Sequence, residues 1–199
     1  TDVLKKRAVA SEVIMSASSA ATLNHNLEIV RQWGIEVVDD ARAAEMARRS
    51  AHTHVVLGDI EHRRLQHIVE GFGVPFAFDA VVVCAQDHGV PPPGVSHLDF
   101  RHNLFRERLE QKPYPHTLLF RSDEIPPVLN RLSSIARSAR QLPTESVYVM
   151  DSGMAAILGA SLDISANGRD HVFVMDAATS HTVGAAMDGQ ELAGFFEYH

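Results

Sequence analysis

The sequence predicts an α/β fold in which helices flank a mixed sheet, and three observations carry that expectation. Short apolar runs alternate with segments of helical period from about residue 12 to residue 161. Residues 78–85 read as one long apolar run, interrupted only at Asp79, the mark of a strand buried on both faces. From His171 onward the pattern is strand only, and Asp188-Gly189 between two apolar runs predicts a closing antiparallel hairpin of type I′, because Asp and Gly tolerate positive φ. With 199 residues and 45% apolar composition, the chain suits one α/β domain over 1–199 or a two-lobed fragment of a longer protein.

In order, residues 12–15 read as a strand, followed by the polar stretch 16–22. Leu23, Leu27, Val30 and Trp33 then mark one helix face that Gly34 ends. Residues 35–38 are a strand, and Asp39-Asp40 can cap a helix reaching about Arg49. Residues 53–57 are a further candidate strand, before a helix carrying Leu65, Ile68 and Val69. After the long apolar run, Gln86-Asp87-His88-Gly89 leads into the proline-rich loop 90–94, which continues neither helix nor strand. Helices follow at 98–110 and 125–140, the second broken near its start by Pro126-Pro127. A strand at 147–150 ends in Asp151-Ser152-Gly153, and residues 155–161 read as a helix.

Composition removes several function classes. Lys and Arg total 18 against 25 Asp and Glu, a net charge of −7, which argues against nucleic acid and anionic membrane as partners. No apolar run approaches the roughly 20 residues that span a bilayer. Cys84 is the one cysteine, so no disulfide framework can form within the chain. Its apolar neighbours predict a small buried hydrophobe, and a reducing cytoplasm fits this usage.

Three places share one pattern, an apolar strand that ends at once in polar residues: Asp87-His88, Asp151-Ser152-Gly153, and Asp176 with residues 179–182. Ligands of open α/β sheets bind beyond the carboxyl ends of strands, so each is a candidate. Asp87 can accept a proton, position the imidazole of His88 or hold a divalent ion, and Gly89 supplies the turn that would aim both at one ligand. The bland alternative makes Asp87 a loop cap. Gly153 at a helix start lets a phosphate approach unpaired N–H groups, against the alternative of an ordinary N-cap by Asp151 or Ser152. Asp176 can hold hydrated Mg²⁺ while the bend at His181 and Thr182 cradles a phosphate, against a hairpin whose hydroxyls satisfy its own turn. The turns after residues 85 and 150 should lie on one edge of the sheet if their strands are parallel.

The stretches 82–90 with 93–96, Met150-Asp151-Ser152-Gly153 continuing to Ala160, and His181-Thr182 with Glu197-Tyr198-His199 resemble a family of archaeal and bacterial proteins that carries a pyruvate formate-lyase activating enzyme label. The resemblance spans nearly the whole chain, and Gln86-Asp87-His88-Gly89 is its most specific part. It implies an actin-like, ribonuclease-H-like architecture of the kind found in sugar kinases and Hsp70 ATPases. It also implies an upstream Asp-x-Gly-rich phosphate hairpin that these residues do not contain, hence the expectation of a fragment.

These readings lead to an expected domain that binds a phosphorylated small molecule, ATP or another nucleotide, with Mg²⁺. Asp87 and Asp176 are then the metal carboxylates, with Asp151, Ser152, Gly153, His181 and Thr182 as ligand contacts. Two rivals are a non-catalytic regulatory or assembly module and a metal-dependent hydrolase centred on Asp87 and His88. An iron–sulfur cluster is not expected, since such clusters need several thiolates and Cys84 stands alone.

Overall fold

The computed structural model describes residues 1–24, 26–49, 53–92, 94–163, 165–166, 168–178 and 181–198. They divide into two units, Thr1–Leu57 and Gly58–His199.

In the first unit, α1 (Asp2–Ala10) leads to β1 (Val13–Ser16), α2 (Ala17–Ala21), α3 (Leu27–Gln32), β2 (Ile35–Val38) and α4 (Asp40–Arg49). β1 and β2 pair in parallel, Val13 opposite Ile35. Met15, Ala20, Val30 and Ile35 form the buried centre. The helix expected from Leu23 to Trp33 begins only at Leu27, where the Asn26 side chain accepts from Glu28 N–H and caps α3. Asp39 caps α4 by accepting from Arg42 N–H at 2.7 Å. The strand expected at 53–57 is not formed. Val55, Val56 and Leu57 are exposed, and an isolated extended segment has no ladder to join.

The second unit contains α5 (His62–Gly71), β3 (Phe78–Cys84), α6 (His97–Gln111), a 3-10 turn (Pro115–Leu118), β4 (Leu119–Arg121), α7 (Asn130–Ala139), β5 (Thr144–Met150), α8 (Ser152–Ser161), β6 (His171–Ala177), β7 (Thr182–Asp188) and β8 (Glu191–Tyr198). Its strands form two sheets, ordered β3-β5-β4 and β6-β7-β8. β3 runs parallel to β5, β4 antiparallel to it, and the second sheet is wholly antiparallel. The architecture is therefore mixed α/β, ending in an antiparallel hairpin array. One core joins both sheets through Leu132, Ile135, Val147, Val149, Met154, Ile157, Val183 and Ala185.

Two expectations are corrected here. β3 is an edge strand, not one buried on both faces: Val81 and Val83 turn toward the core while Ala80, Val82 and Cys84 are exposed. Cys84 accordingly lies at the surface instead of in the core. A run of Val and Ala gives no alternation from which an exposed face can be read. The closing turn also differs in type. Asp188 pairs with Glu191, so Gly189 and Gln190 are central, and of these Gly189 alone has positive φ, +57°. That sign pattern belongs to type II′, since type I′ needs positive φ at both central residues.

Helix α7 begins at Asn130, five residues later than the pattern suggested, because Pro126 and Pro127 hold the preceding segment out of helix. Among the described residues no helix is long and apolar enough to cross a membrane.

Candidate functional site

β3 and β5 are parallel neighbours, so their carboxyl ends reach the same edge of the sheet. Ala85 N–H donates to Met150 C=O and Ser152 N–H to Ala85 C=O, which sets Gln86 beside Asp151. Asp87 lies beyond them, 3% exposed, and each of its carboxylate oxygens accepts a backbone N–H: Gly89 at 2.9 Å and Leu132 at 2.9 Å. Leu132 is the third residue of α7, so Asp87 caps that helix across a long loop. Gly89 adopts φ +70°, and a Cβ there would stand 2.9 Å from the Phe100 ring. The turn is thus fixed by tight packing as well as by the Asp87 carboxylate, and His88 beside it is half-buried.

Asp151 is the N-cap of α8, and its Oδ1 accepts from Gly153 N–H at 3.0 Å and Met154 N–H at 3.3 Å. The capping alternative raised from the sequence is the arrangement found. Those amides are already engaged, and Gly153 has its open side filled, since a Cβ there would stand 2.9 Å from Val183 Cγ2. Ser152 is half-buried and spends its N–H on Ala85.

The same Oδ1 receives Arg101 Nη2 at 2.8 Å, while Arg101 Nη1 donates to Glu197 Oε2. Arg101 is 3% exposed and Asp151 2%, and the guanidinium lies 4.8 Å from the centre of the Phe105 ring. Gln86 Nε2 completes the group by donating to Glu197 Oε1 at 3.2 Å. One arginine therefore bridges two carboxylates. Among the described residues, Asp151 Oδ2 and Arg101 Nε are buried with no hydrogen-bond partner. Such atoms are uncommon in folded proteins and mark places where water, an ion or a ligand completes the structure.

The strand register brings a third carboxylate to this side. Asp176 of β6 and Glu197 of β8 both pair with Val183 of β7, so all three share one face of the antiparallel sheet, and Val183 touches Gly153. Thr182 pairs with Ala177 and Tyr198 one rung away and projects from the opposite face. Asp176 and Thr182, expected to grip one ligand together, are therefore separated by the sheet. His181 is half-buried and its C=O accepts from Ala178 N–H at 3.0 Å, while Thr179 and Ser180 lie outside the described residues. Among the described residues no three His, Cys, Asp or Glu side chains converge as a metal-binding group.

Sequence reasoning missed Arg101 and Glu197 as site residues. A signal for Arg101 existed: it stands four residues before Phe105 and eight before Leu109, both buried, so it occupies the apolar stripe of α6. For Glu197 the local pattern is mute, because its role depends on a partner 96 positions away in the chain.

Fold and site together define a mixed α/β protein with a buried acidic cluster, bridged by one arginine, at the carboxyl edge of a parallel strand pair. The chain belongs to the family described as "Putative pyruvate format-lyase activating enzyme (DUF1786)", which matches residues 1–199. No curated protein and no solved structure matches it. The iron–sulfur chemistry implied by that description needs several thiolates at one place. The residues present do not fit such a group, for this chain supplies Cys84 alone, on the exposed side of β3.

Proposed function

We propose that the Arg101, Asp151 and Glu197 cluster, with Asp176 beside it, is the acidic wall of a site for a phosphorylated small molecule or nucleotide carried with Mg²⁺. The observation that supports this best is Asp151 Oδ2, a buried carboxylate oxygen with no protein donor, beside the Arg101 bridge. Mg²⁺ keeps most of its water and takes one or two carboxylates plus phosphate oxygens, so it needs no group of three protein ligands. Asp151 and Asp176 are the residues that suit it, and the ion would neutralise the phosphate against an otherwise repulsive wall. Asp87 now has a different part. Its oxygens serve Gly89 and Leu132, so it shapes the turn that carries Gln86, and this weighs against a hydrolase centred on Asp87 and His88.

A second reading, an assembly module, is favoured by one observation. The outer face of the β6-β7-β8 sheet exposes Phe173, Met175 and Tyr198, with Phe196 stacked on Phe173.

The test is calorimetric titration of the protein with ATP in the presence and absence of Mg²⁺. Saturable binding that requires Mg²⁺ supports the ligand site, and no heat in either condition turns the assignment toward the assembly module.

A further inference from the structure

At the far end of β5, roughly 20 Å from Asp151 by the rise of a strand residue, the sheet edge opens into a second hollow. β4 pairs with β5 only as far back as Arg121 opposite Tyr148, and Ser122 N–H donates to Val147 C=O just beyond. Among the described residues no strand then covers Thr144 to Ser146 on that side. The result is a cavity of about 240 Å³ whose walls include Arg121 and Arg140 and also the acidic residues Asp123 and Glu145.

Two arginines and two carboxylates balance in charge, so the unengaged donors decide what the lining can hold. Arg140 donates from Nε to Ser122 Oγ at 3.0 Å, which fixes the plane of its guanidinium, and among the described residues its terminal amino groups make no hydrogen bond. Ser122 Oγ accepts there and keeps its own proton to donate. Tyr148 adds a second hydroxyl. The other two hydroxyls are already committed as donors, Thr144 to Ser146 C=O at 3.0 Å and Ser146 to Asp79 C=O at 3.3 Å. Arg121 lies only 3.5 Å from Asp123, an exposed contact that water screens readily, so a stronger acceptor can compete for it.

We infer that this hollow is a binding site for a small oxyanion, of the phosphate or phosphate-monoester class, held by the terminal nitrogens of Arg140 and Arg121 and by Ser122 Oγ. Arginine forks match phosphate oxygens in pairs, and Arg140 is pre-set for this by Ser122. The volume is several times the roughly 30 Å³ share of a water, enough for a phosphate with a short organic tail. The site is separate from the acidic cluster, and Arg140, which has no carboxylate partner among the described residues, is its principal anchor.

The experiment is a titration of isotope-labelled protein with inorganic phosphate, followed by amide and arginine Nε–H resonances. The expected result is saturable shifts at Ser122, Ser146 and the Arg140 Nε–H, with a dissociation constant in the millimolar range. Arg140→Gln should weaken binding by about 10-fold or more, the usual loss for a charge-assisted contact. Arg140→Lys should fall between, because it keeps charge and loses the fork. Arg140 is exposed, so both variants should keep the wild-type spectrum elsewhere. Shifts that fail to saturate, that persist unchanged in Arg140→Gln, or that centre on residues 151–154 would overturn the assignment.

Discussion

Arg101 Nη2 meets Asp151 Oδ1 at 2.8 Å with both side chains almost wholly withdrawn from solvent. A buried ion pair is weak evidence of stability taken whole, because desolvation offsets its attraction, but removing one partner strands the other. Arg101→Ala leaves Asp151 and Glu197 facing each other without their shared cation. Urea denaturation should show a loss of about 3–5 kcal/mol, the scale for breaking such a pair. Arg101→Ala with unchanged stability would mean that the bridge is not formed in solution.

Asp87 offers a contrast. Its carboxylate serves two backbone amides, so Asp87→Ala should cost about 1–3 kcal/mol by leaving the start of α7 uncapped and the Gly89 turn unsupported. Hydrogen exchange at Leu132 and Gly89 should accelerate selectively. A catalytic Asp87 would instead be replaced with little change in either property.

Gly153 tests the packing beneath the cluster. A Cβ there would stand 2.9 Å from Val183 Cγ2, closer than real contacts allow, so Gly153→Ala should destabilise by about 1–3 kcal/mol. Val183→Ala should restore part of that loss in the double variant. Strict additivity of the two substitutions would show that the residues do not touch.

Much of this arrangement was legible in the sequence, and the reasons are local. Gln86 and Asp151 each follow an apolar strand directly, so the alternation of elements sufficed to bring them to one edge. Asp151 announced itself as a cap through the Asp-Ser-Gly start of α8. What failed was whatever depends on a neighbour in space. The Val-rich β3 looked buried on both sides, yet the strand order leaves it at an edge. Asp176 and Thr182 looked like one grip, yet the register puts them on opposite faces. Arg101 reads as an ordinary helix charge until Glu197 and Asp151 are seen across from it.

Cys84 gives a prediction in pH. Partial burial, and after it the negative charge of Asp151, push the thiol above its ordinary value. A raised value means less thiolate at neutral pH, so this exposed cysteine should react with iodoacetamide more slowly than a free cysteine at pH 7.5. Its rate should reach half of its high-pH limit only above about pH 8.5, where a free thiol is already half ionised. A rate profile with its midpoint at or below about pH 8.5 would show that neither burial nor the carboxylate acts on the thiol.

Under the proposed function the acidic wall, and not the Asp87 turn, holds the ligand. Calorimetric titration with Mg-ATP of wild-type protein, Asp176→Ala and Asp87→Ala measures this most directly. Affinity should fall by more than about 10-fold in Asp176→Ala, as expected when one charged contact is removed, and stay close to wild type in folded Asp87→Ala. Undiminished binding by Asp176→Ala, a loss confined to Asp87→Ala, or no binding by the wild-type protein would contradict it.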